Sequence, residues 1–91
     1  MIQEQHLNKE VYTLKQVVHD GMPIVYVVHD KDGNWQFLSR GEVSESDLMI
    51  ISLKQMLEID SSIEEILWIP EGIEAIREGP SKKWTTKVFL E

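Results

Sequence analysis

The run Asp32-Gly33-Asn34-Trp35-Gln36-Phe37-Leu38-Ser39-Arg40-Gly41-Glu42 constrains the fold more than any other part of the chain. Asp-Gly favours a tight hairpin turn, because glycine adopts positive φ without steric cost. The strand leaving that turn carries Trp35 and Phe37 on one face, since strand side chains alternate. A chain of 91 residues has a modest core, so two large aromatics on one strand face must belong to it. A polar loop with its own glycine, Gly41, follows.

The flanking segments extend the pattern. Residues 1–9 read as a frayed start. Residues 11–18 alternate, with Val11, Thr13, Lys15 and Val17 on one side and Tyr12, Leu14, Gln16 and Val18 on the other, and this predicts a half-buried strand. His19-Asp20-Gly21-Met22-Pro23 is a turn. Ile24-Val25-Tyr26-Val27-Val28 is continuous and rich in β-branched residues, as in a strand buried on both faces. With the turn at residues 30–34 and the strand at 35–38, an antiparallel three-stranded meander is expected.

Beyond Ser39 the character changes. Residues 40–47 form a polar, acidic loop, and Leu48-Met49-Ile50-Ile51 fits either a short strand or a helix start. Ser52 with Gln55 makes a capping box, and Leu53, Met56 and Leu57 follow at i, i+3, i+4, so a helix is predicted over 52–59. Asp60-Ser61-Ser62 breaks it. Ser62 with Glu65 reads as a second capping box, with Ile63, Ile66 and Leu67 on one face. Residues 73–77 and 84–90 read as strands joined by a loop containing Gly79-Pro80-Ser81. The expected fold is a single α+β domain over 1–91: an antiparallel sheet of about five strands with a broken helical segment packed on one face.

Composition excludes several kinds of chemistry. There is no cysteine, hence no disulfide, thiolate nucleophile or cysteine metal site. The net charge of −7, with Lys82-Lys83 as the only basic pair, disfavours nucleic acid and favours a basic protein or cationic ligand. No apolar run approaches the ~18 residues of a membrane helix, and no signal-peptide core is visible, so a cytoplasmic location is expected.

The candidate catalytic patterns fail on spacing. His19-Asp20 and His29-Asp30 repeat a dipeptide known from metal sites. In a hairpin centred near Gly21, however, the two histidines stand roughly 20 Å apart at ~3.3 Å per residue. Asp30-x-Asp32-x-Asn34 begins like a calcium loop, but its glycine is fourth rather than sixth and its twelfth residue is Gly41 rather than glutamate. No phosphate-binding glycine loop, nucleophile elbow or His-Glu-x-x-His pair is present. No metal, cofactor or enzymatic activity is expected. Trp35 and Trp84 read as core residues, and Trp68, shortly before Pro70, as partly exposed. The carboxylates group at 42–47, at 58–65 and at 71–78, which describes either a solvated surface or an acidic recognition surface.

Five features together resemble a bacterial immunity-protein family, number thirty-three among those associated with polymorphic toxins and formerly a domain of unknown function. They are the strand Ile24-Val25-Tyr26-Val27-Val28; Gly33-Asn34-Trp35-Gln36-Phe37-Leu38-Ser39 with Gly41-Glu42; Ile51-Ser52-Leu53 followed by Asp60-Ser61-Ser62-Ile63; Pro70-Glu71-Gly72 with Ala75 and Arg77; and the late aromatic Trp84. The resemblance spans roughly residues 17–86. The chain departs from the family pattern at Ser62, where proline is usual, and in the short loop at 42–47. The resemblance implies a non-catalytic protein that neutralises a cognate toxin by occluding it, with no catalytic residue to carry over. An acidic surface would steer toward a basic toxin domain, and the residues expected to form it are Glu42, Glu45, Asp47, Asp60, Glu64, Glu65 and Trp68. The competing reading is a small housekeeping or regulatory domain that binds a small ligand or another protein.

Overall fold

The computed structural model describes residues 7–41 and 44–90. In chain order the elements are β1 (Glu10–Leu14), helix α1 (Lys15–Asp20), β2 (Tyr26–His29), β3 (Trp35–Leu38), a 3₁₀ turn (Glu45–Asp47), β4 (Leu48–Ser52), helix α2 (Leu53–Ile59), a 3₁₀ stretch (Ser61–Ile66), β5 (Ile73–Ile76) and β6 (Thr85–Val88). The Asp-Gly hairpin forms as expected. Val27 lies opposite Phe37 and His29 opposite Trp35. The Asp30 carboxylate closes the turn by accepting the N–H groups of Asp32 and Asn34, each at 2.9 Å, while Gly33 takes a φ of 86°.

The fold is α+β, but the sheet is mixed and six-stranded rather than antiparallel with five strands. Its order is β4-β1-β3-β2-β5-β6. β1 runs parallel to β3, with Thr13 opposite Phe37, and every other pairing is antiparallel. The expected meander is therefore wrong at its first step, because β3 lies between β1 and β2. The strand expected over 11–18 stops at Leu14. Residues 15–20 coil into α1, which ends at Gly21 in the left-handed conformation, φ 70°, with its N–H on the Gln16 carbonyl. A helical connection frees β2 from pairing with the strand before it, and the hairpin inserts β3 beside β1. Of the segment expected to fray, residues 1–6 lie outside the described residues. The Lys9 carbonyl is held at 2.9 Å by the Leu53 N–H.

The apolar segment at 48–51 resolves as strand β4, paired along its length with β1. Ser52 and Gln55 form the predicted reciprocal cap of α2, with both backbone–side-chain bonds at 3.1 Å. The second capping box does not form. Asp60 caps the next segment instead, accepting the Ser62 N–H at 3.0 Å and hydroxyl at 2.6 Å, and the segment winds as 3₁₀. A short aspartate directly before the segment satisfies its second N–H, that of Ser62, which leaves the Ser62 oxygen for another donor.

Thr13, Phe37, Val27 and Ala75 form one cross-strand row through β1, β3, β2 and β5, and all four are 0 % exposed. The Thr13 hydroxyl donates to the Phe37 carbonyl at 2.7 Å, which removes the cost of burying it. Leu53 and Met56 of α2, and Ile63, Ile66 and Ile69 after it, join the same core cluster, so the helical segment covers this face. Trp35 lies on the face of Phe37 and stacks on it at 5.8 Å, and on His29 at 4.0 Å. Trp35→Ala is expected to cost about 3–5 kcal/mol, the range for deleting a buried large aromatic. In a domain of this size that lowers Tm by about 12 °C or more. A thermal melt within a few degrees of the parent would contradict this packing.

Candidate functional site

β2 and β5 lie side by side, with Tyr26 opposite Ile76. At this end of the sheet the chain continues from Ile76 into Arg77, whose side chain is 1 % exposed and fully engaged. Its Nε donates to the Ile24 carbonyl at 2.8 Å, Nη1 to the Ser62 hydroxyl at 2.9 Å and Nη2 to the Asp60 carboxylate at 2.9 Å. The guanidinium also sits 4.2 Å above the Trp84 ring, a cation–π contact. Asp60–Arg77 is the only ion pair among the described residues. Asp60 and Arg77 are both positions that carry the resemblance noted above, and here they hold the scaffold. Arg77→Lys keeps the charge but cannot reproduce the planar fork. It is expected to destabilise the protein by about 3 kcal/mol or more in urea unfolding.

Beside this hub opens a cleft of about 750 Å³. Val25, Tyr26 and Ile76 make its inner wall, and the exposed cations Arg40, Lys82 and Lys83 stand at its mouth. Arg40 donates to the carbonyl of Glu78, so the loop after β3 is joined to the loop after β5 across the mouth. The lysines are carried by a turn in which the Lys82 N–H bonds to the Gly79 carbonyl at 3.1 Å and Ser81 takes a left-handed φ of 68°. Burial, and then the charge of and hydrogen bonding to the Glu74 carboxylate, push the Tyr26 phenol above its usual range.

The phenol therefore stays protonated in the folded protein at pH values where it ionises in the unfolded chain. Its contribution to stability is complete below about pH 10 and is lost as pH rises through the folded value. Absorbance titration of the parent against Tyr26→Phe should place the Tyr26 transition above about pH 10, and Glu74→Gln should move it down. A Tyr26 transition at or below the model-peptide value would contradict this environment.

Trp68 stands at the opposite end of the sheet. It is 68 % exposed, yet the chain on either side is fixed. Ile66 is buried before it, Ile69 is buried after it, and the Ile69 carbonyl lies 2.9 Å from Nδ1 of His29. Glu64 and Glu65 are exposed on the 3₁₀ stretch leading to it.

The structure thus separates the residues expected to share one acidic surface. Glu64, Glu65 and Trp68 lie along one exposed segment. Asp60 is committed to Arg77. Glu45 and Asp47 lie in the 3₁₀ turn entering β4 where Leu48 faces Leu14, at the sheet end away from Trp68. Glu42 lies outside the described residues. The cationic cleft was not foreseen. Its signals in the sequence were the lone Lys82-Lys83 pair and Arg40, two residues after the end of β3.

The histidine geometry also differs from expectation. β1 and β2 do not pair, so the hairpin that would hold the two His-Asp dipeptides does not exist. His19 is exposed in the last turn of α1, and His29 closes β2 against Trp35. Among the described residues no group of three or more His, Asp and Glu side chains is placed to hold a metal ion, and no helix is long and apolar enough to cross a membrane.

Comparison of the chain with protein-family models, with curated proteins and with solved structures gives no match. The likeness to the immunity-protein family stands on the residues quoted for it alone.

Proposed function

We propose that the protein is a non-catalytic binding protein that covers part of a protein partner, and in its most specific form an immunity protein that occludes a cognate toxin. The supporting observation is Trp68, a mostly exposed indole held between two buried isoleucines. A large aromatic left in water and rigidly mounted is the kind of residue that anchors interfaces, because its burial releases much apolar area at little entropic cost. Glu64 and Glu65 precede it, and the chain as a whole is acidic, which favours a basic partner.

The test is capture of the partner from the cells that make the protein, followed by binding kinetics. Glu64→Lys with Glu65→Lys should slow association and flatten its salt dependence, since peripheral charges act on encounter. Trp68→Ala should instead speed dissociation, by roughly 30-fold or more if it costs the ~2 kcal/mol of an interface anchor. All three positions are exposed, so the variants should keep the parent stability to within about 0.5 kcal/mol. An acidic partner, or association indifferent to salt, would overturn the steering role. Unchanged dissociation in Trp68→Ala would remove the anchor.

A further inference from the structure

We propose that the cleft between the loops after β3 and β5 binds a small phosphate monoester, its phosphate held by Arg40, Lys82 and Lys83 and its apolar body seated against Val25, Tyr26 and Ile76. This site is independent of Trp68, which lies at the other end of the sheet.

Three observations carry the assignment. The first is charge. The chain has nine Lys and Arg residues against sixteen Asp and Glu, yet four of the nine line this one cleft. Arg77 is neutralised by Asp60, so among the described residues the three cations at the mouth face one lining carboxylate, Glu78. These described residues leave two positive charges over, the complement of a phosphate dianion. The surrounding negative charge repels an extended polyanion, whereas a small anion interacts mainly with groups inside a Debye length of about 8–10 Å.

The second is preorganisation. Arg40 is held on the Glu78 carbonyl rather than on a carboxylate, so its guanidinium is fixed at the mouth by an uncharged acceptor. The turn through Gly79 and Ser81 carries both lysines, and both line the cleft. The third is shape. The cleft volume of about 750 Å³ suits a small organic molecule. Beside the engaged Arg77 its inner wall is apolar apart from hydroxyls; that of Ser39 is able to donate to a phosphate oxygen, while that of Thr85 already donates to the Ile76 carbonyl at 3.3 Å. A bare anion would leave that wall against water, and a neutral body would leave the cations unused.

Amide NMR titration of the full chain with 1-naphthyl phosphate, inorganic phosphate and 1-naphthol tests the assignment. Naphthyl phosphate should give saturable shifts at Val25, Tyr26, Ile76, Lys82 and Lys83. Inorganic phosphate should shift the lysines at least tenfold more weakly, and naphthol should not saturate. Lys82→Glu with Lys83→Glu should weaken naphthyl phosphate at least tenfold while Tm is retained, because both lysines are exposed. Ile76→Ser should weaken naphthyl phosphate but leave inorganic phosphate unchanged. Shifts that never saturate, shifts located elsewhere, or affinity equal in the lysine variant would overturn the site. Naphthol binding as tightly as its phosphate would do the same. So would co-sedimentation with phosphatidic acid vesicles, since a site for a soluble ester does not gather the protein on a lipid surface.

Discussion

Burying the Arg77 guanidinium is the constraint around which one half of the molecule is arranged. Taking such an ion out of water costs several kcal/mol unless its charge and its donors are met. Here a carboxylate, a hydroxyl, a backbone carbonyl and an aromatic face all meet it. Those partners come from separate parts of the chain: the segment entering β2, the 3₁₀ stretch and the approach to β6. One side chain therefore fixes the positions of three connections that have little regular structure of their own. It also explains why Asp60, and not Ser62, caps the 3₁₀ stretch. The aspartate is needed at that place for its charge, and the Ser62 oxygen is needed as an acceptor.

What was legible in the sequence is what is decided locally. The Asp-Gly turn, the shared face of Trp35 and Phe37, and the Ser52–Gln55 cap depend on residues within a few positions of one another, and all three are present. The end of β1 was misread because Val17 and Val18 continue a β-like alternation while Gly21, several residues later, supplies a helix stop. The parallel pairing of β1 with β3 was beyond reach for a different reason. Strand periodicity says which face is buried, not which strand lies alongside.

The same distinction holds for the surfaces. The exposure of Trp68 followed from its place just before Pro70. The pairing of Asp60 with Arg77 did not, because the partner is 17 residues away in sequence. The cleft cations come from positions near 40 and near 82, and they meet only because β2 sits between β3 and β5. A net charge near −7 conceals such a cluster, since composition averages over the whole surface.

The placement of β1 bears on the order in which the protein assembles. It is an early segment, yet it is an interior strand, bonded to β3 on one side and β4 on the other. As the chain leaves the ribosome, β1 emerges with neither neighbour available. The β2–β3 hairpin closes through a short turn and offers the first edge, and β4 completes the second only when Ser52 is free of the exit tunnel. Until then β1 has the β2–β3 hairpin on one side and nothing on the other, where Ile51 and Met49 later face Val11 and Thr13. A nascent chain stalled before β4 would thus carry an open strand edge, the form most exposed to pairing with another molecule.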